Sequence, residues 1–355
     1  MEENKTIKKK YFAAANGYDG FVSYFDKIFD SRTLERLFIL KGGPGTGKNS
    51  FMRRVSDYFS SAEYETERFY CSSDPSSLDG IIIKKGGIAI AIIDGTAPHE
   101  RDANIPGACE TLINLGDSWD VRWLRAQRDK IFALNEEKKD AYSTAYAYLK
   151  MGKAAFEYQK NICKKSFDFK SAKIIAEEIM RNCTGADQRS ESIRLTSAFC
   201  KDGDVKLKTI ENISETLVGI GGKTPQVNLF MEAVVDSARE KGISLQLSPS
   251  PLDRSLFDTV YVPKEKIGIY ISAENADINA DDFIFSACNK DYCALSKTNE
   301  IIEISKDEAV RWFKIASDIH FRLEDIYSQA MDFSKNDITI SKTIEEIEII
   351  FDKNK

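Results

Sequence analysis

The chain has 355 residues with a formal net charge of −6, and its residues are 42% hydrophobic and 30% charged. This composition supplies enough apolar side chains for packed cores and excludes an intrinsically disordered chain. The length predicts about two domains, and the acidic balance argues against nucleic acid and anionic membrane surfaces as partners.

The cysteines and histidines limit the chemistry further. Seven cysteines without a C-x-x-C pair do not favour a disulfide framework or a zinc ribbon, and two histidines, His99 and His320, exclude a multi-histidine metal site. The amino terminus, "MEENKTIKKKYF", lacks the apolar core of a secretory signal. The longest apolar run, "GIAIAII", is too short to cross a bilayer. We therefore expect reduced thiols, a cytoplasmic location and no membrane partner.

Three short apolar segments begin the predicted fold. "RLFILKGG", at 36–43, is an apolar run that enters glycines, and the following "NSFMRRVSDYFS" places Phe51, Val55 and Phe59 at a four-residue spacing. This order predicts a strand, a loop and a helix. "ERFYCSSDP" and the non-alternating "GGIAIAIIDG" predict two further strands, the last of them buried on both faces. The sequence therefore predicts an α/β fold built on a parallel sheet.

A helical segment follows the predicted sheet. Between Trp119 and Met180 a helical stripe contains Val121, Leu124, Ile131 and Leu134, and a break falls near 164–168. The pattern predicts a helical appendage, folded as an antiparallel hairpin. Its charged residues form a solvated face or, alternatively, a partner-binding surface or lid.

The second half of the chain repeats the first. "SPLDRSLFDTVYVPKEKIGIYIS" echoes "SSDPSSLDGIIIKKGGIAIAII", and one offset joins both matched acids, since 253 minus 74 and 258 minus 79 each give 179. The tripeptide "VRW" also occurs at 121–123 and at 310–312. A period this long excludes a solenoid and predicts a tandem duplication. The predicted divisions are a domain with an intact loop at 1–118, a helical appendage at 119–182, a degenerate domain at 183–304 and a helical segment at 305–355.

The first loop has the G-x-x-x-x-G-K pattern of a P-loop, between an apolar strand and an amphipathic helix. Its glycines let backbone N–H groups converge on phosphate oxygens, the helix N-terminus adds its dipole, and the lysine neutralises phosphate charge. No motif separates ATP from GTP, and we take ATP as the expected ligand. The predicted nucleotide-binding residues are Gly42, Gly43, Pro44, Gly45, Thr46, Gly47, Lys48, Asn49 and Ser50.

The expected Mg²⁺ position depends on two residues. A Ser or Thr usually follows the P-loop lysine and offers a hydroxyl to the metal; here Asn49 offers a longer carbonyl ligand, and Ser50 is an alternative on another part of the helix. "AIAIIDG" has the form of a Walker B strand that delivers Asp94 to hold Mg²⁺ through water. A solvated Asp that begins a turn is the other interpretation of Asp94. No Glu follows it directly, and Glu100 is the nearest later candidate.

Neighbouring polar residues leave alternatives open. We expect His99 to act with Lys48 and Asp94 in catalysis, as a phosphate contact or base, although a local hydrogen-bonding role also fits. Asp74 and Asp79 lie where phosphoryl-transfer enzymes hold the acceptor or its base, and turn or cap chemistry explains them equally. Three arginines of the appendage could reach a γ-phosphate, but surface charge explains them more simply: Arg122, Arg125 and Arg128.

The second copy lacks the nucleotide machinery. The same offset places Gln226 and Val227 at the positions of Gly47 and Lys48, and Ala273 at that of Asp94. Lys223 remains, in a different register. We expect this half to bind no nucleotide, or to bind it poorly.

The segments "KGGPGTGK", "CSSDPSSLDGIII", "DGTAPH" and "PGACETLINLGDSWD" resemble an uncharacterised bacterial family of tandem P-loop proteins that are labelled ATPase or nucleotide-kinase-like. The resemblance covers essentially the whole chain. It implies a P-loop with Ser or Thr after the lysine in both halves, so Asn49 and the segment 223–228 depart from the family pattern. These departures bear on hydrolysis and on any two-site mechanism.

The residues and the resemblance predict an α/β protein of two tandem P-loop NTPase-like parallel sheets, flanked by helices and each followed by a helical appendage. The expected function is binding of ATP and Mg²⁺ at one intact site, with phosphoryl transfer to water or to an unknown small acceptor, as in an ATPase or a small-molecule kinase. The alternative is a non-hydrolysing, nucleotide-dependent switch or scaffold with a protein partner.

Overall fold

The computed structural model describes residues 9–274, 276–285 and 292–353. These residues form two compact units. The first unit comprises the described parts of 1–14, 23–144 and 312–355, and the second comprises those of 15–22 and 145–311. The divisions predicted above follow the repeat in the sequence, whereas the units follow the packing of the helices.

The first half of the chain contains all the strands of one six-stranded sheet and the helices after it. Its strands are β1 (Lys9–Phe12), β2 (Ala14–Gly17), β3 (Gly20–Ser23), β4 (Arg36–Lys41), β5 (Glu65–Tyr70), β6 (Leu78–Lys85), β7 (Ile88–Asp94) and β8 (Glu110–Asn114). Its helices are α1 (Phe25–Ile28), α2 (Lys48–Tyr58), α3 (Val121–Ala126), α4 (Arg128–Ser166) and α5 (Phe169–Ile179), with a 3-10 turn at Leu115–Ser118. The break predicted near 164–168 falls between α4 and α5.

The second half has the same order of elements. Its strands are β9 (Glu191–Ile193), β10 (Ser197–Cys200), β11 (Gly203–Lys206), β12 (Thr216–Gly221), β13 (Leu245–Pro249), β14 (Phe257–Val262), β15 (Ile267–Ile271) and β16 (Ile278–Asn279). Its helices are α6 (Thr209–Ile213), α7 (Thr224–Glu240), α8 (Tyr292–Gln329) and α9 (Phe333–Lys353), with a 3-10 turn at Ala280–Phe283.

The six-stranded sheet of the first unit has the order β1-β5-β6-β7-β4-β8. β4 pairs in parallel with β7 and β8, but β6 runs antiparallel to both β5 and β7. The sheet is therefore mixed, and the expectation of a parallel sheet is corrected here. The cause is local, because Gly86 and Gly87 adopt φ of 59° and 86° and close a tight turn that joins β6 and β7 as a hairpin.

The sheet of the second unit is also six-stranded and mixed, with the order β16-β12-β15-β14-β13-β9. Each strand pair runs in the same relative direction as its counterpart in the first sheet. The tight turn between β14 and β15 contains Lys266, the one described residue other than glycine with a positive φ. Equal strand order and direction in the two sheets agree with the predicted tandem duplication.

Each unit buries its own core. In the first unit, α2 packs between the sheet and α9, whose Ile340, Ile347 and Phe351 join that core. Parts of α4 and α8 in this unit meet through a smaller apolar cluster around Leu134 and Leu323. In the second unit, α7 packs on its sheet and against α5. The final helix of the chain therefore covers the sheet of the first half, and the appendage after the first half supplies the cover for α7.

The five cysteines whose side chains the structure describes are free thiols, and Cys288 and Cys293 lie outside that set. None of the helices in the described parts of the chain combines the length and the apolar character that crossing a membrane requires.

Candidate functional site

The glycine-rich loop at 42–47 connects β4 to α2 in the first unit. Gly45 and Gly47 adopt φ of 69° and 86°, in the left-handed region that glycine enters without steric cost. Gly47 is the N-cap residue of α2, and no side chain caps this end of the helix. A methyl group on Gly45 would lie 2.5 Å from the carbonyl oxygen of Glu324. The glycines are therefore required both for the path of the loop and for the close approach of its surroundings.

Lys48 folds back over the loop that precedes it. Its Nζ donates hydrogen bonds to the carbonyl oxygens of Gly42 and Gly43, at 2.9 and 2.8 Å. The same atom lies 3.6 Å from Oδ2 of Asp94, and the side chains of this ion pair are 11% and 14% exposed. The proximity follows from the sheet, because parallel pairing places Leu40 of β4 opposite Asp94 of β7.

The two carboxylate oxygens of Asp94 have different partners. Its Oδ1 accepts hydrogen bonds from the N–H and the hydroxyl of Thr96, at 2.9 and 2.6 Å. Its Oδ2 faces Lys48. Hydrogen bonds from Thr96 hold the carboxylate in place, so the end of β7 presents a fixed negative charge beside the loop.

Asn49 is engaged within the protein. Its Oδ1 accepts hydrogen bonds from the N–H of Leu78 at 3.1 Å and from Nε of Arg53 at 3.0 Å. Leu78 is the first residue of β6, so the asparagine ties the first turn of α2 to the start of the β6–β7 hairpin, which lies in the interior of the sheet. Ser50, the alternative metal ligand, is exposed. A metal ion at Asn49 would have to compete with two N–H donors.

His99 and Asp79 form a buried pair at the carboxyl edge of the same sheet. His99 Nε2 lies 3.4 Å from Asp79 Oδ2, and the two side chains are 5% and 9% exposed. The imidazole stacks on Phe25 with ring centres 4.3 Å apart. Burial lowers the pKa of His99, but the charges of Asp79 and Asp94 outweigh it, so the pKa lies above its ordinary value of 6.5. The pair with Asp79 thus favours the protonated imidazole more than free solution does.

The two acids of "CSSDPSSLDG" have separate roles. Asp74 accepts hydrogen bonds from the N–H and the hydroxyl of Ser76, which is turn chemistry. Asp253, its counterpart, does the same for Ser255. Asp79 instead faces His99, and together with burial it raises the pKa of the Cys71 thiol well above the ordinary range. The turn interpretation thus describes Asp74, and Asp79 belongs to the buried pair.

Residues near the end of the chain contact the glycine-rich loop within the first unit. Asn336 Nδ2 donates to the carbonyl of Thr46 at 2.9 Å, and the ring of Tyr327 packs on Gly43. The Glu324 carboxylate lies near the Gly45 N–H and 3.5 Å from Nε2 of His320, and His320, followed by the charge of Lys48, lowers the pKa of Glu324. Sequence reasoning missed these three residues because they lie on α8 and α9, where no motif marks them.

Several predicted residues lie in solvent. The side chains of Glu100, Arg122, Arg125 and Arg128 are exposed, and Arg128 lies over the ring of Phe132. Within the described residues, no group of three or more His, Cys, Asp or Glu side chains is placed to hold a metal ion. The strongest arrangement in this unit is therefore the loop, Lys48 and Asp94.

The corresponding loop of the second unit has a different structure. Gly222 has a φ of 122°, and α7 begins directly afterwards at Thr224, with Pro225 in its first turn. Gln226 and Val227 are buried in this helix, and Ala273 is exposed. No lysine of the described chain occupies the place that Lys48 takes in the first unit.

Compared with known proteins, the chain matches no family model, no curated protein and no solved structure.

Proposed function

We propose that the first unit binds ATP at the loop 42–49 and that Lys48 and Asp94 serve phosphoryl transfer there. One observation carries the proposal: a loop with left-handed glycines leads into a helix, and its lysine lies 3.6 Å from a carboxylate at the end of the neighbouring parallel strand. Backbone N–H groups, a helix N-terminus and an ammonium group are the donors that phosphates require.

Lys48 already makes hydrogen bonds that it would exchange for hydrogen bonds to phosphate. Its ammonium group donates to the carbonyl oxygens of Gly42 and Gly43. Phosphate oxygens are stronger acceptors than neutral carbonyls, because the hydrogen bond is then charged on both sides. We therefore expect Lys48 to turn from the loop carbonyls to the phosphates, within reach of Asp94.

The residues at the site fit Mg²⁺ in a limited way. The metal is commonly held by one or two carboxylates together with waters and phosphate oxygens, and Asp94 offers one carboxylate that Thr96 holds in place. When bound, Mg²⁺ would neutralise charge on the β and γ phosphates. Asp94 would hold it through water. Asn49 is the weaker candidate because its oxygen already accepts two hydrogen bonds.

His99 fits a positioning role better than contact with the reacting atoms. Its side chain is 5% exposed and pairs with Asp79. Asp94 is the last residue of β7, and His99 lies in the loop that follows. The pair of His99 and Asp79 would therefore hold this loop in place while Asp94 faces Lys48. The acceptor of the phosphoryl group would be water or a small molecule that approaches Asp94.

A test compares ATP binding by the wild type, Lys48→Ala and a matched control, Lys130→Ala, which removes an exposed lysine of α4. We expect Lys48→Ala to weaken ATP binding by roughly tenfold or more, because a charged hydrogen bond to phosphate is lost. The control should bind as the wild type does. Equal binding by wild type and Lys48→Ala would remove the proposal.

A non-hydrolysing switch is the second candidate, and two contacts favour it. Glu324 places a carboxylate near the Gly45 N–H, and Asn49 is committed to Leu78 and Arg53. ATP would then displace the Glu324 contact without efficient turnover, and a protein partner would respond to the change. Phosphate release in the presence of Mg²⁺ separates the two candidates. Turnover by the wild type supports the enzyme; ATP binding without turnover, with turnover gained in Asn49→Thr, supports the switch.

A further inference from the structure

The second unit contains a cavity of about 460 Å³ at the beginning of α7. Lys223, Thr224 and Gln226 line it at the helix end, and Phe156, Leu252 and Ile302 contribute apolar wall. A cavity of this size lies within the range of small-molecule sites, roughly 300–1,000 Å³, which combine apolar walls with a few polar groups.

The end of α7 offers donors for one anionic group. α7 has 17 residues; the side chain of its N-cap residue, Lys223, makes no cap, and the Lys223 N–H donates to Asp281 Oδ1 at 2.9 Å. The N–H groups of Thr224 and Gln226 make no backbone hydrogen bond with any described residue, and Pro225 has no N–H. Two free donors, the helix dipole and the exposed Lys223 favour a single phosphate or carboxylate. They are too few for a triphosphate.

Gln226 supplies the second, independent observation. Its side chain lines the cavity, the residue is 8% exposed, and Oε1 has no hydrogen-bond partner among the described residues. A buried acceptor without a partner is destabilising, because its hydrogen bonds to water are lost on folding and not replaced. A ligand that donates a hydrogen bond to this oxygen would remove the penalty.

Two other polar side chains of the cavity, Gln159 and Lys306, already have partners, which distinguishes Gln226 from them. Gln159 Nε2 donates to Leu295, Thr298 and Asn299. The Lys306 ammonium lies 2.8 Å from Asp204, so its charge is neutralised within the protein. Ligand recognition would therefore depend on the end of the cavity at α7.

We propose that this cavity binds a small organic anion. The anionic group is a single phosphate or carboxylate at the N-terminus of α7, and a hydroxyl or amino group of the same ligand donates to Gln226. The proposal does not depend on ATP binding in the first unit. It assigns to the second half a ligand site in place of the nucleotide site that its sequence lacks.

Calorimetric titration of the full chain tests the proposal with three probes. Ribose 5-phosphate and gluconate present a phosphate and a carboxylate on a hydroxylated body, and ribose is the neutral control. We expect one of the two anions to bind with a dissociation constant below about 1 mM, and ribose not to bind. Which anion binds decides between phosphate and carboxylate.

Two variants and two controls locate the binding. Lys223→Ala should weaken anion binding about two- to fivefold. Gln226→Leu, which replaces the amide with an apolar side chain of similar size, should weaken it roughly tenfold. Lys208→Ala removes an exposed lysine that does not line the cavity, and Lys48→Ala alters only the loop of the first unit; both should bind as the wild type does. The proposal is overturned if neither anion saturates, if both cavity variants bind normally, or if Lys48→Ala abolishes binding.

Discussion

The two loops that follow β4 and β12 begin alike and end differently. At the offset of 179, Thr224 corresponds to Gly45 and Val227 to Lys48, yet α7 begins at Thr224 whereas α2 begins at Lys48. Without glycine at the positions of Gly45 and Gly47, the helix continues about one turn further towards the strand. In the second half a helix therefore occupies the positions that the glycine-rich loop occupies in the first half.

Besides the first two glycines, an asparagine occurs at the same position in both halves. Asn49 and Asn228 occupy the same register at the offset of 179. Asn228 is buried, and Asn49 anchors the start of β6. The asparagine therefore occurs both in the half with Lys48 and in the half without it, which favours a role in holding the hairpin over a role specific to the metal.

The largest effect should separate two matched acids, Asp79 and Asp258. Asp79 faces His99; Asp258 faces Ser197, and burial raises its pKa. We expect Asp79→Asn to lower the free energy of unfolding by about 2–4 kcal/mol, because a buried imidazolium loses its charge partner. Asp258→Asn should change it by less than about 1 kcal/mol, since it removes a buried charge. Chemical denaturation at pH 6 measures both, and equal losses would contradict the comparison.

The same pair predicts a pH dependence. The pKa of His99 lies above 6.5 in the folded protein, so folding binds the proton more tightly, and the pair stabilises the protein fully below about pH 6.5. This stabilisation should be lost as the pH rises through the folded pKa. In Asp79→Asn the remaining burial lowers the pKa, and stability should instead fall as the pH drops below about 6.5. Denaturation midpoints from pH 5.5 to 8.5 test the change of sign.

The next largest effect concerns the asparagine anchor. Asn49→Ala leaves the N–H of Leu78 without its acceptor, and we expect it to lower the free energy of unfolding by about 1–2 kcal/mol. Ser50→Ala, at the exposed neighbouring position, is the control and should change stability by less than about 0.5 kcal/mol. Equal stability of the two variants would show that the hydrogen bond between Leu78 and Asn49 does not contribute to the free energy of unfolding.

A smaller effect tests the carboxylate on the glycine-rich loop. Glu324→Gln removes the charge beside the Gly45 N–H, and we expect ATP affinity to rise about two- to fivefold, because a competing anion is lost. Glu345→Gln, at an exposed acid of α9, has the same change of charge and should leave affinity unchanged. An unchanged or lower affinity in Glu324→Gln would mean that this carboxylate does not compete with phosphate.

The smallest effect is expected in the second loop. Lys223→Ala should alter ATP affinity by less than about twofold, because two free N–H groups and one exposed lysine do not form a triphosphate cradle. ATP titration of this variant beside the wild type provides the measurement. A larger loss of affinity would mean that ATP binds to the second half, which is expected to lack a nucleotide site.

Local patterns predicted the parts of the structure that depend on neighbours in sequence. Short-range patterns predicted the strand, loop and helix around Lys48 and the helices after Trp119. The repeat was predicted from matching segments in the two halves. The antiparallel β6 was missed although Gly86 and Gly87 mark its hairpin. The contacts of Glu324 and Asn336 with the loop could not be predicted, because they depend on how distant helices pack, and no residue pattern encodes that partner choice.

The central claim is that one of the two loops is a nucleotide site and the other is not. The number of ATP molecules bound per chain tests it most directly, by calorimetric titration with Mg²⁺ of the wild type and Lys48→Ala. One site per chain that is lost in Lys48→Ala is the predicted result. No binding, two sites, or one site that survives in Lys48→Ala would contradict it.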